Sequence, residues 1–122
     1  MTKKEIEKMI RNKLEANYNA YIRQLQTLPA DSLIEQAAQI AATKLVFREL
    51  CGGGYKSEYM EYLLRFQNPL EVVRDQWLLE QNVPLDGNME HVLWALSDKE
   101  HAEQDYELDE AFLPPEQEVR MC

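Results

Sequence analysis

The stretch TKKEIEKMIRNKLEANYNAYIRQLQTL, residues 2–28, repeats an apolar side chain every three or four positions. The repeating residues are Ile6, Ile10, Leu14, Tyr18, Tyr21, Leu25 and Leu28. This spacing predicts one face of a long amphipathic helix. Thr2 and Glu5 have the spacing of a capping box, which satisfies free backbone N–H groups at the start of a helix. Pro29 ends the helix, because proline cannot continue it.

Two further helices are predicted downstream of this first one. Ser32 and Glu35 form a second capping box, followed by an apolar run that is rich in alanine. Because small side chains allow close helix packing, we expect this second helix to be central and buried. The glycines at 52–54 end it, and Ser57 is predicted to cap a short third helix.

The second half of the chain contains two more helix signals. Residues 68–71 read Asn-Pro-Leu-Glu, in which Asn caps the helix and Pro occupies its first position. A fifth helix is predicted from about Asn88, with Trp94 beside its inner stripe. That stripe consists of Met89, Val92, Leu93 and Leu96. For residues 97–112 two interpretations stay open, a continuation of this helix or a new start at Ser97.

These signals together predict an all-α protein. We expect a compact bundle of about five helices, with a long amphipathic N-terminal helix and an acidic C-terminal segment. A chain of 122 residues has room for one domain with one modest core. Residues 1–113 are therefore predicted to form a single helical domain, and residues 114–122, which begin with two prolines, a flexible tail.

Composition predicts a cytoplasmic protein. No apolar stretch approaches the ~18 residues that span a bilayer, and the charged N-terminus is unlike a secretory signal. Cys51 and Cys122 form no CxxC pair, so both are expected to be free thiols in a reducing compartment.

Charge is unevenly distributed along the chain, whose net charge is −9. Residues 1–56 carry nine Lys or Arg against six Asp or Glu, whereas residues 97–122 carry two against nine. This balance argues against direct nucleic-acid binding, which needs cations to neutralise phosphates, and against anionic membranes. A protein partner with a basic surface is the expectation.

The acidic run near the C-terminus is the main candidate binding site. It consists of Asp98, Glu100, Glu103, Asp105, Glu107, Asp109 and Glu110. Carboxylates on a rigid helix can mimic a row of phosphates or neutralise a basic patch on a protein. The alternative is a solvated helix face or a self-repelling tail.

An aromatic ladder at helical spacing is the second candidate. Tyr55, Tyr59, Tyr62 and Phe66 form it, with Arg65 alongside. Tyr and Arg are enriched in interface hot spots, so Tyr59, Tyr62 and Arg65 are predicted partner-binding residues. Core packing is the alternative, because such stripes often face the interior.

A carboxylate–histidine cluster is the least specific candidate. If residues 97–112 are helical, His101 lies near Asp98 and Asp105 and these side chains would bind a metal ion or relay a proton. No HExxH pattern or second histidine at ligand spacing accompanies them. Cys51, at a helix C-terminus, is not placed to be a nucleophile. We therefore predict no catalytic residue, no metal site and no cofactor.

Two stretches carry a resemblance to a known group of proteins. NPLEVVRDQW at 68–77 and DGNMEHVLW at 86–94 resemble small uncharacterised proteins of Clostridia and related gut Firmicutes. The resemblance extends over residues 2–105 and includes the long first helix and the alanine-rich second helix. That group is a domain of unknown function that is often associated with mobile elements, which implies an accessory or counter-defence role. No catalytic residue is implied by it.

The sequence therefore favours a non-enzymatic protein-interaction module. Its sharpest form is an acidic, phosphate-mimicking inhibitor of a basic or nucleic-acid-handling partner such as a bacterial defence nuclease. The first alternative is a structural homo-oligomer, at its simplest a homodimer, that pairs through the first helix or the aromatic ladder. The second is the metal-dependent enzyme.

Overall fold

The computed structural model describes residues 2–80, 89–99, 101–109 and 111, and it confirms the all-α prediction. Six α-helices lie within these ranges, where about five were predicted. They are α1 (Lys3–Gln26), α2 (Ala30–Glu35), α3 (Ala37–Cys51), α4 (Ser57–Leu64), α5 (Pro69–Glu80) and α6 (Met89–Lys99). A 3₁₀ turn at His101–Gln104 follows, and one isolated antiparallel bridge joins Phe66 to Leu108.

Helix α1 has the predicted start and the predicted inward face. The backbone N–H of Glu5 donates to Thr2 Oγ1 at 3.2 Å, and the Thr2 hydroxyl donates to the Glu5 carboxylate at 3.1 Å. Ile6, Ile10 and Leu14 are buried, so the first half of the apolar stripe lies in the core. The helix ends at Gln26 and packs against α3, α4 and α5.

The second predicted helix is wrong in its start and in its continuity. Helix α2 begins at Ala30 after Pro29, whose extended backbone serves as the N-cap, so Ser32 lies inside the first turn and caps nothing. Gln36, with φ −97° and ψ 12°, separates α2 from α3. Helix α3 is held by buried residues that pack against α5, whereas α2 has no buried residue. The core therefore fixes the direction of α3, and it does not fix the direction of α2.

The starts of α4 and α5 show how local signals differ in strength. Asn68 Oδ1 accepts from the N–H of Glu71 at 3.1 Å, as the Asn-Pro-Leu-Glu pattern predicts. Ser57 was the predicted cap of α4, but Lys56 holds that position without a side-chain hydrogen bond. Gly53 and Gly54 adopt φ values of 79° and 93°, and this left-handed turn, which favours glycine, connects α3 to α4.

A single apolar cluster holds the helices together. Its most deeply buried side chains come from α1, α3, α4, α5 and α6 and from the short connection after α4. They include Leu14, Val46, Leu63, Leu64, Phe66, Val73 and Leu93. Burying one such side chain stabilises the fold by about 1.5–3 kcal/mol. The predicted inner stripe of the fifth helix is confirmed, because Met89, Val92, Leu93 and Leu96 are all buried.

Several predictions fall on positions outside the described residues. These are the break at 83–87, Glu100, Glu110, Cys122 and the tail at 114–122. Within the described part of the chain, none of the helices combines the length and the apolar character needed to cross a bilayer.

Candidate functional site

The acidic run does not lie along one helix. Asp98 belongs to α6, Glu103 to the 3₁₀ turn, and residues 105–109 to a segment outside any helix. The interpretation of residues 97–112 as one continuous helix is therefore wrong. Asp98, Asp105 and Glu107 are exposed, whereas Glu103 and Asp109 are half-buried.

Glu103 forms an ion pair with Arg65, the cation that lies alongside the aromatic ladder. Arg65 Nη1 donates to Glu103 Oε1 at 2.7 Å, and each side chain retains about a quarter of its exposure. The same guanidinium lies 5.2 Å from the ring centroid of Tyr62. Arg65 therefore joins the end of α4 to the 3₁₀ turn.

Asp109 is paired with a lysine from α1. Lys13 Nζ lies 2.7 Å from Asp109 Oδ2 and also donates to the carbonyl oxygens of Leu64 and Phe66, each at 2.9 Å. This hydrogen bond from Lys13 holds the pKa of Asp109 below its ordinary value. Lys13 therefore joins α1, the end of α4 and the C-terminal segment.

Backbone contacts add to these two ion pairs. The N–H of Gln67 donates to Glu107 O at 3.0 Å, and the N–H of Asp109 donates to Arg65 O at 2.6 Å. Together they form the rung of the bridge between Phe66 and Leu108. We call residues 103–109 the strap, because they are bound across the end of α4.

Tyr106 fixes the middle of the strap to α5. Its hydroxyl donates to Asp75 Oδ2 at 2.7 Å, and its ring meets the ring of Phe66 edge-on at 6.3 Å. Burial, reinforced by the hydrogen bond to Asp75, raises the pKa of the Tyr106 hydroxyl. Within the strap only Asp105 and Glu107 keep exposed carboxylates, and Asp98 lies beyond it in α6.

A surface groove of about 390 Å³ lies between the start of α4 and the end of α6. Its lining consists of Lys56, Glu58, Tyr59, Trp94, Ser97 and Asp98. Trp94 is 47% exposed, so a large part of its ring surface is available to a partner. Neither Glu58 nor Asp98 forms an ion pair within the described part of the chain. We call this the α4–α6 groove.

The groove already holds one cation of the chain itself. Lys56 Nζ lies 5.7 Å from the ring centroid of Tyr59, at cation–π distance. Tyr59 is 9% exposed, so it contributes one wall of the groove and part of the core. The lining of the groove therefore combines an aromatic surface, two carboxylates and the ammonium group of Lys56.

The structure divides the predicted binding residues between two places, the α4–α6 groove and the contact of Arg65 with Glu103 and Tyr62. Asp98 and Tyr59 share the α4–α6 groove. Arg65 lies six residues after Tyr59, at the opposite end of α4. Tyr62 is 5% exposed and packs edge-on against Phe66 at 5.4 Å, so it presents little surface to a partner.

Sequence reasoning missed Trp94 and Glu58 as members of a site. Trp94 was seen only as a neighbour of the inner stripe of its helix. Its position off that stripe is the signal that points to exposure. No local sequence pattern indicates that Glu58 lies beside Trp94, because α4 and α6 are far apart along the chain.

The carboxylate–histidine hypothesis finds Asp98 and Asp105 exposed on different local structures, while the side chain of His101 lies outside the described residues. No group of three or more His, Cys, Asp or Glu within the described ranges is placed to hold a metal ion. Cys51 is a half-buried thiol at the end of α3. Burial, reinforced by Glu15, raises the pKa of that thiol, which disfavours the nucleophilic thiolate.

Comparisons of the chain with protein-family models, curated proteins and solved structures gave no match. Function is therefore inferred from the side chains of the chain itself. The feature with the most specific chemistry for binding another protein is the α4–α6 groove.

Proposed function

We propose that this protein is a non-enzymatic interaction module that binds a basic segment of another protein in the α4–α6 groove. The observation that carries the proposal is the exposure of Trp94 beside the carboxylates of Glu58 and Asp98. Tryptophan is the side chain most enriched among binding hot spots. Flanking carboxylates give such a surface a preference for arginine or lysine.

Charge complementarity supports this choice of partner. The chain carries a net charge of −9, and Asp105 and Glu107 add exposed carboxylates on the strap. Such a field attracts a basic segment and speeds its association, particularly at low salt. An arginine side chain gains a second contribution, because its planar guanidinium stacks on the Trp94 ring while it donates to a carboxylate.

The strap supports the general form of this proposal better than the nuclease-inhibitor form. A phosphate-mimicking inhibitor presents a row of free carboxylates. In this chain Glu103 and Asp109 are held by Arg65 and Lys13. Their role is to position the strap. Of the carboxylates that stay exposed, Asp98 lies with Glu58 beside Trp94 in the α4–α6 groove.

Binding of a hexa-arginine peptide, followed by NMR titration, tests the proposal. We expect the largest shifts at groove residues, and we expect Trp94→Ala to weaken binding at least tenfold, the loss typical of a hot spot. Ile34→Ala is the matched control, because Ile34 is 71% exposed on α2 and lies outside the groove. Equal loss in both variants, or shifts spread evenly over the acidic surface, would contradict the proposal.

A variant of Lys56 provides a second test, in which peptide binding is expected to become tighter. Lys56 lies over the Tyr59 ring and competes with any incoming cation. We therefore expect Lys56→Ala to bind the peptide more tightly than the parent chain does. Weaker binding by this variant would indicate that the groove is not the site.

Self-association is the second candidate, and a specific observation favours it. Ile34 and Leu45 are exposed apolar side chains on α2 and α3. Ala38 and Ala41 lie exposed between them. A second copy that covers this face would bury apolar surface. Pairing through the start of α1 or through the ladder offers less apolar surface, because Ile6, Ile10, Leu14, Tyr59, Tyr62 and Phe66 already pack in the core. Light scattering that gives twice the mass of one chain would support a homodimer, provided that Leu45→Glu lowers the measured mass to that of a single chain.

A further inference from the structure

A row of exposed residues runs along α2 and α3 at alternating steps of three and four positions. Its members are Asp31, Ile34, Ala38, Ala41, Leu45 and Arg48. Steps of three and four keep residues on one side of a helix, and they are the spacing of the seam between two paired helices. We call these six residues the α2–α3 stripe.

The break at Gln36 does not interrupt the backbone hydrogen bonding along the stripe. The N–H of Gln36 donates to Ser32 O at 3.1 Å, and the N–H of Ile40 donates to Gln36 O at 2.9 Å. Both bonds join residues that are four apart, as they are in an uninterrupted α-helix. The stripe therefore passes from α2 to α3 without an intervening loop.

The described part of the chain leaves the stripe uncovered. Ile34 is 71% exposed and Leu45 is 37% exposed. Neither Asp31 nor Arg48 forms an ion pair with another described residue. The stripe therefore has an apolar centre with one unpaired charge at each end, and an apolar centre with a polar rim is the usual composition of a protein interface.

The order of the residues makes the stripe complementary to a second copy of itself. The stripe is symmetric about the point between Gln39 and Ile40. In an antiparallel pair of helices the two seam positions alternate, so Ile34 faces Leu45 of the second copy and Ala38 faces its Ala41. Asp31 then faces Arg48 of the second copy, which places opposite charges together at both ends.

Charge favours this antiparallel arrangement over a parallel one. A parallel pair would place Asp31 against Asp31 and Arg48 against Arg48, and like charges in contact are unfavourable. The antiparallel pair also sets the two helix dipoles in opposite directions.

The segment is also electrically balanced in an otherwise acidic chain. Residues 30–48 contain two Asp or Glu and two Lys or Arg, whereas the whole chain has a net charge of −9. Two acidic chains repel each other. A neutral segment is therefore a place where two copies can meet at low electrostatic cost.

We propose that two copies of this chain pair through the α2–α3 stripe in antiparallel orientation. This pairing rests on the proposed self-association and adds the orientation of the second copy and the residues that set it. Ala38 and Ala41 let the two helices approach closely, and ion pairs between Asp31 and Arg48 close both ends. No residue of the stripe lines the α4–α6 groove, so the pairing uses none of the groove residues.

Sedimentation equilibrium of the full chain at rising protein concentration tests this pairing. The stripe is about 27 Å long, so we expect a weak dimer that forms as the concentration rises. Arg48→Asp and Asp31→Arg each place like charges at both ends of the dimer. We expect each variant to lower the dimer affinity at least tenfold. An equimolar mixture of the two variants should restore dimerisation, because opposite charges then meet at both ends.

Lys8→Asp is the matched control for Arg48→Asp, because it makes the same change of charge at an exposed position of α1. We expect this control to dimerise like the parent chain. Stripe variants that dimerise as well as the control, or a mixture that stays monomeric, would overturn the antiparallel pairing and leave self-association in place. A parent chain that is monomeric at every concentration would contradict both. Circular dichroism of each variant separates loss of pairing from loss of helix.

Discussion

Lys13 is the side chain on which three parts of the chain converge. Its ammonium group donates to Asp109 and to two carbonyl oxygens at the end of α4. Lys13→Met keeps most of the side-chain length but leaves those partly buried acceptors without their donor. We expect the free energy of unfolding to fall by about 1–3 kcal/mol. Chemical denaturation measures it, with Lys8→Met, an exposed change on the same helix, as the control; equal effects would contradict the role of Lys13.

Tyr106 is predicted to make stability depend on alkaline pH. Burial and the bond to Asp75 hold the pKa of its hydroxyl above the ordinary value of about 10. The folded chain therefore keeps this proton longer than the unfolded chain. Its stabilising contribution is complete below about pH 10 and is lost as the pH rises further.

Tyr106→Phe tests this dependence. Loss of a hydrogen bond to a charged group should cost about 1.5–3 kcal/mol at neutral pH. Above pH 10 the free energy of unfolding should fall less steeply in the variant than in the parent chain. The free energy of unfolding is measured by urea denaturation at each pH. Parallel pH profiles of the variant and the parent chain would show that Asp75 and burial do not hold the proton on the Tyr106 hydroxyl.

At the scale of elements, the strap contains no α-helix and is bound by side chains of α1 and α5 and by Arg65 at the end of α4. The N–H groups of Gln67 and Asp109 donate across its bridge to α4. We expect both amides to exchange with deuterium more slowly than the amide of Asp105. Arg65→Gln removes the ion pair with Glu103, so the protection of the bridge amides should fall several-fold. Unchanged exchange rates of the two bridge amides would mean that the ion pair between Arg65 and Glu103 does not help to hold the strap in place.

Sequence patterns succeeded where structure is set by neighbours along the chain. The Thr2 and Asn68 caps and the inward stripe of α1 follow from spacings of three and four residues. Both caps and the first half of the stripe are confirmed. The break at Gln36 was missed, because packing of α3 against α5 decides it.

The candidate site was less accessible to sequence analysis. Lys13 and Asp109 are 96 residues apart, and no periodicity connects them. Because these two residues pair, the acidic run contains two kinds of carboxylate. Some form ion pairs within the fold, and the others stay exposed at the surface. Tyr59 and Asp98 were both selected from the sequence, yet only the packing of α4 against α6 places them in one groove with Trp94.

At the scale of the whole molecule, the groove and the strap occupy different parts of one helical body. The mildly basic first half provides Lys13, and the acidic second half provides the strap and most of the groove. Because the net charge is −9, any basic peptide will show some attraction to the surface. A decisive measurement must therefore compare variants of equal net charge.

The most direct measurement is the affinity of hexa-arginine for Asp98→Asn and for Glu35→Gln, at low and at high salt. Each variant removes one exposed carboxylate, in the groove or on α2. We predict that Asp98→Asn weakens binding several-fold more than Glu35→Gln does, and that this difference is larger at low salt. Equal affinities of the two variants at both salt concentrations would contradict the assignment of the α4–α6 groove as the binding site.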